Sequence, residues 1–180
     1  MQASADTDDA LFLDALQGLH KGDFSRLEPL FDEQASQPAG RARIVGWHET
    51  GRFRDDGKAL AEALTCACFL GRTGVATHLL THGIEPAGGA GTGLNAFHWA
   101  VNRGQLEVVR LLLRWQAPLE TRSMYGGNVL DTAVWSAINE PGPHHMAIIE
   151  QLLKAGARLE EEEWPTGHEE IDRLLRTGRE

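Results

Sequence analysis

The chain has 180 residues, 42% of them hydrophobic, and a formal net charge of −9. That length carries one compact domain or a short repeat array and excludes two large domains. The acidic balance repels a nucleic-acid backbone and suits a partner protein with a basic or apolar patch, and no stretch approaches the ~20 apolar residues of a membrane-spanning helix.

Met1 to Asp9 is polar and acidic, without the basic start and apolar run of a secretory leader. Ala10 to His20 spaces Leu11, Ala15, Leu16 and Leu19 as one face of a helix. Gly22 breaks it, and Phe24, Leu27, Leu30 and Phe31 continue as a second amphipathic helix. Residues 9–34 are therefore expected to form an N-terminal capping helix pair.

Residues 37–58 break the pattern. Arg41, Arg43, Arg52, Arg54 and Lys58 interleave with Ile44, Val45, Trp47 and Phe53, and the local alternation predicts an irregular or hairpin-like insertion. Cys66 and Cys68 follow on an expected helix. They would project about 200° apart, which does not suit a disulfide, and a reducing, cytoplasmic compartment is the simpler expectation.

From there a period of 33 residues governs the chain. Asn95-Ala96 leads into His98, Ala100 and Gly104, and then into Leu111, Leu112 and Leu113. One period later stand Asn128, Asp131 and Ala133; one period earlier stand Ala67, Gly71, Leu79 and Leu80. Asn95 and Asn128 are good N-caps, and Gly104 can end a helix in the left-handed conformation. Val108, Val109, Leu111, Leu112 and Leu113 wrap more than one face, as a helix buried between neighbours requires.

Units are thus expected at 59–87, 88–120 and 121–158, the last stretched by a Pro-Gly turn at Asn139 to His144. At the other end, 159–180 supplies a capping helix, with Ile171, Leu174 and Leu175 on one side, and a tail.

The block Asn95 to Ala117 resembles an ankyrin repeat. His98, Ala100, Gly104, Glu107-Val108-Val109 and Leu111-Leu112-Leu113 stand at the motif positions, whereas Asn95-Ala96 replaces the usual threonine–proline and Gln116 the usual glycine. The preceding unit departs further, with Thr65 in place of the histidine and Leu60 in place of the loop glycine. The resemblance covers roughly residues 59 to 158. It implies an all-α stack of about five antiparallel helix pairs, the terminal ones degenerate, with loops projecting from one edge, His98 tying neighbouring loops, and binding of a partner protein rather than catalysis. No cofactor is implied, and a monomer is expected.

By that resemblance the concave face and loop tips make contact. These positions hold Phe69 (with Leu70), Asn102, Arg103, Trp135, Thr92, Met124 and Tyr125. Trp115, at the end of a second helix where the family exposes a polar residue, joins them. Tryptophan, tyrosine, methionine and arginine are hot-spot residues. Coverage of Phe69 and Leu70 by the 37–58 segment, and of Trp135 by its own long turn, is the competing expectation. Small ankyrin proteins are similar to inhibitor or immunity-type factors, and the charge would hasten association with a basic target.

The other readings are plainer. His78 and His82 have a metal-compatible spacing but no evident third ligand, and read as solvent-facing. His144-His145 reads as a solvated turn and helix start. Gly88 to Gly93 lacks the lysine and spacing of a phosphate loop. Acid runs such as Asp8-Asp9 and Glu160 to Glu163 read as solvated charge. The alternative class is a small-anion or nucleotide binder, or an enzyme, using Arg41, Arg43, Arg52 and Arg54.

Overall fold

The structure, a computed structural model, describes residues 2–32, 41–54, 56–159 and 165–178, with side chains from Asp6 onward. Among these residues all regular structure is helical. The elements are α1 (Gln2–Lys21), α2 (Glu28–Phe31), α3 (Arg43–Glu49), α4 (Gly57–Leu70) and α5 (Thr73–Thr81), followed by α6 (Ala96–Asn102), α7 (Leu106–Arg114), α8 (Val129–Asn139), α9 (His145–Lys154) and α10 (Glu169–Thr177).

Local chemistry sets the helix ends. The Asp56 carboxylate accepts from the Ala59 N–H at 3.0 Å and opens α4. Asn95 Oδ1 accepts from the N–H groups of Phe97 and His98, both at 3.0 Å, and opens α6. Asn128 repeats the device at α8, where Asp131 returns the bond to the Asn128 N–H at 2.7 Å and completes a capping box. Gly71, at φ 72°, turns the chain out of α4 in a conformation that side chains resist.

The helices pack in two layers. α1, α4, α6 and α8 stand side by side in one; α3, α5, α7, α9 and α10 follow in the other. Within the stack α4 pairs with α5, α6 with α7 and α8 with α9. Alanines 59, 63, 67, 96, 100 and 133 are buried in the first layer and let those helices approach closely, while Leu79, Leu112, Ile148, Ile149 and Leu152 fill the space between layers. Each such side chain contributes about 1.5–3 kcal/mol on burial. His98 is wholly buried, its Nδ1 2.8 Å from Asn95 Oδ1. Burial pushes its pKa down, opposed by the backbone of Gly127 and Thr121 in the next loop.

Two expectations are corrected. The second helix of the N-terminal pair is a single turn, Glu28–Phe31, opened by Pro29. The 37–58 segment, in its described residues 41–54 and 56–58, is not hairpin-like. It holds α3, because Ile44, Val45 and Trp47 form one buried helical stripe that the eye reads as alternation over so short a run. α3 takes the outer-layer place beside α5, and Trp47 and Phe53 meet Phe12 of α1 edge-on at 5.1 and 5.3 Å. Residues 37–40 and Asp55 lie outside the described residues, as do Glu160 to Glu163.

Candidate functional site

α4, α6 and α8 present their first-layer edges in register, and the loop after α7 rises beside them. Between these walls runs a groove of 710 Å³. It gathers Phe69, Asn102, Arg103, Tyr125 and Trp135 from the expected positions, together with Trp99, Asp131 and Glu140.

Phe69, Trp99 and Arg103 form the end of the groove nearest the N-terminus. The Phe69 ring meets Trp99 edge-on at 5.0 Å, and the Arg103 guanidinium lies 5.1 Å from the Phe69 centroid. The far side of Phe69 rests on Phe24, at 6.0 Å. Phe69 is thus half-covered by the N-terminal region, but by Phe24 rather than by the arginine segment; no described residue of 41–58 lines the groove.

Trp135 and Tyr125 make up the other end. Trp135 is 52% exposed and Tyr125 78%, so the long turn after α8 does not cover Trp135. The Tyr125 turn is fixed by its neighbours: Ser123 N–H donates to Gly127 O at 2.9 Å, and Met124 N–H to Gly93 O at 2.9 Å. The lining carries one guanidinium, from Arg103, and two carboxylates, of which Asp131 is buried in the α8 cap and Glu140 is exposed.

The remaining expected contact residues separate. Asn102 lines the groove, but its Nδ2 donates to Ser136 Oγ at 3.0 Å and its carbonyl lies 3.1 Å from His145 Nε2; it holds α6 to its neighbours. Thr92 Oγ1 accepts from Trp99 Nε1–H at 2.7 Å and so aims the indole. Met124 is exposed at the loop tip outside the groove lining, and Trp115 is exposed beyond the end of α7, also outside it. Trp99 is the aromatic groove residue that the contact positions omit. Its signal is in the sequence: a tryptophan at the middle of a short first helix, one turn before the helix ends at Asn102.

The other chemistry resolves locally. The glycine loop 88–93 is pinned by the chain itself, since Gly91 N–H donates to Glu62 Oε1 at 2.7 Å and Thr65 Oγ1 donates to Gly89 O at 3.1 Å. A buried carboxylate in that cradle repels a phosphate. Arg41 pairs with Glu49 at 2.5 Å, Arg43 with Asp8 at 2.5 Å, and Arg52 with Asp8 and Asp9 at 2.5 and 2.6 Å. These guanidiniums neutralise the chain's own acids, and Asp8-Asp9 is not merely solvated charge. His145 is buried against the α6 end rather than solvated.

The expectation that His78 and His82 lack a third partner is corrected. His48 of α3 lies beside them, its Nδ1 2.9 Å from His78 Nε2. Burial, with the nearby His82, pushes the His48 pKa down, and the same causes act on His78. α3 carries this third ring from 30 residues away in sequence, out of reach of any local spacing rule.

Among known families, the ankyrin repeat profile matches residues 92–123, the unit built on α6 and α7. No curated protein matches the chain. None of the helices among the described residues is long and apolar enough to cross a membrane.

Proposed function

We propose, from the premise that this chain is an ankyrin-repeat protein, that its groove between α4, α6 and α8 docks a partner protein. Ankyrin repeats serve as protein-interaction modules, and the repeat match supports that role in general terms. The observation that carries the specific site is the exposure of Trp135 and Tyr125, 52% and 78%, at the rim of a preformed groove. Large rigid aromatics flanking a cavity are what anchors binding when a partner desolvates them.

The partner we infer bears an apolar or aromatic anchor for the groove and a basic rim to meet Glu140 and the −9 net charge. Long-range attraction of that kind raises the association rate more than the final affinity, which suits an inhibitor or immunity-type factor that must catch a basic enzyme or toxin quickly. The anion-binding alternative loses its main support, because Arg41, Arg43 and Arg52 already pair with carboxylates.

Quantitative capture with wild type against the Tyr125→Ala/Trp135→Ala variant tests the site. Truncation of an anchor costs about 2 kcal/mol or more, so enrichment of true partners falls by at least tenfold in the double variant. An association rate that does not fall between low and high salt would remove the basic-partner reading. Undiminished capture would remove the groove.

A further inference from the structure

Three histidine rings converge on the outer layer, where α3 meets α5. His78 and His82 lie one helical turn apart, their ring centroids at 4.3 Å. His48, from the last turn of α3, stands edge-on to both at 5.0 Å. Ring nitrogens from all three lie within 4.8 Å of one another.

We propose that His48, His78 and His82 bind a divalent transition-metal ion of the zinc class and that the ion fastens α3 to the first repeat of the stack.

Three features of the cluster carry this. The first is ligand orientation. His82 Nδ1 lies 2.7 Å from the His78 carbonyl oxygen, to which it donates. That bond fixes the tautomer and leaves the Nε2 lone pair for a ligand, the arrangement that metal-binding histidines use.

The second is distance. An ion at 2.0–2.1 Å from each nitrogen needs nitrogens roughly 3.3 Å apart. His48 Nδ1 and His78 Nε2 are already at 2.9 Å and share one proton as a hydrogen bond. Moving that proton to the far nitrogen of its own ring frees both lone pairs with every ring still neutral. His82 is exposed at the end of α5, so a small tilt of its ring, with the Nδ1–carbonyl bond kept, closes its remaining gap.

The third is charge. Arg41, a guanidinium whose charge acts on His78, is matched by Glu49 at 2.5 and 2.7 Å, so it presents little net repulsion to a cation.

The donor set points to the metal class. Three imidazoles suit zinc, copper or nickel, whereas calcium and magnesium take oxygen. Three protein ligands leave a fourth position on the open, His82 side for water or for a side chain from elsewhere. Because two ligands come from α5 and one from α3, the site exists only when α3 is docked, and the ion stabilises that docking.

The test uses the full chain, freed of metal by chelator and gel filtration, and titrated with Zn2+ by calorimetry and with Co2+ by visible absorption. The expected result is one ion per chain, with affinity reduced at least tenfold in His82→Ala and in His48→Ala, and unchanged in His144→Ala and His168→Ala. At a Zn2+ concentration that saturates the wild type, its Tm should rise by more than that of His82→Ala. His82 is exposed, so its variant keeps the fold. Absence of saturable binding, or undiminished affinity in either His82→Ala or His48→Ala, overturns the proposal.

Discussion

The central repeats and the N-terminal region share an apolar core but differ in what is added to it. From α6 to α9 the buried polar groups cap helix ends (Asn95, Asn128 and Asp131) or tie α6 to its neighbours through Asn102. From α1 to α3 ion pairs are added to the packing of Phe12, Trp47 and Phe53. Asp8 receives Arg43, Arg52 and the Trp47 Nε1–H, Arg72 reaches Glu28 and Asp32, and His20 lies 2.8 Å from Asp56. A period of 33 residues lets one solution repeat in the middle, where every unit has two neighbours. The end unit has one neighbour and must close its open side by other means.

The contrast predicts unequal responses to mutation. Leu112→Ala, at a wholly buried site between layers, should cost about 2–5 kcal/mol in denaturant unfolding, with little dependence on salt. A salt-dependent loss would break the division between the regions.

Asn128→Ala should come next. Its Oδ1 accepts from Leu130 and Asp131 N–H, and its Nδ2 donates to Arg158 O at 2.9 Å. Loss of a cap costs about 1–2 kcal/mol, and hydrogen exchange should quicken first in the opening turn of α8.

Asp8→Asn should cost about 1 kcal/mol at low salt and less at high salt, since the side chain is partly exposed. Burial works to raise the pKa of Asp8, but hydrogen bonds from Trp47 and Arg43 and the attraction of Arg52 outweigh it and hold the pKa below the usual 3.8. A depressed carboxylate stabilises the fold above its unfolded pKa and loses that contribution as pH falls through the folded value. Tm curves for wild type and Asp8→Asn should therefore be parallel near pH 7 and converge below pH 3.8. Divergence there would contradict the assignment.

Trp115→Ala should have the smallest effect, within about 0.5 kcal/mol, and should leave partner capture intact, because the indole is exposed and outside the groove.

How much of this was legible depended on how local the signal is. The caps Asn95 and Asn128, the glycine exits and the stripe Val108 to Leu112 act within one turn of helix, so the period displays them directly. Phe69, Arg103, Tyr125 and Trp135 could be placed because a regular stack maps position in the repeat onto position in space. α3 could not be read so. Its buried stripe spans four residues, Ile44 to Trp47, too few to separate a period of 3.6 from one of 2. The pairings of Asp8 with Arg43 and of His48 with His78 join residues 35 and 30 apart with no repeat to relate them. Trp99 and Thr92 show the intermediate case: both stand in the best-matched unit, but the bond that turns one toward the other is a matter of side-chain geometry.

The partner site proposed for this chain is the groove. A photo-crosslinking amino acid placed singly at Tyr125, at Trp135 and at Trp115 tests it most directly in the cell that makes the protein. Docking in the groove gives the same adduct from positions 125 and 135 and none from 115. An adduct from 115 with none from the two groove positions would contradict it.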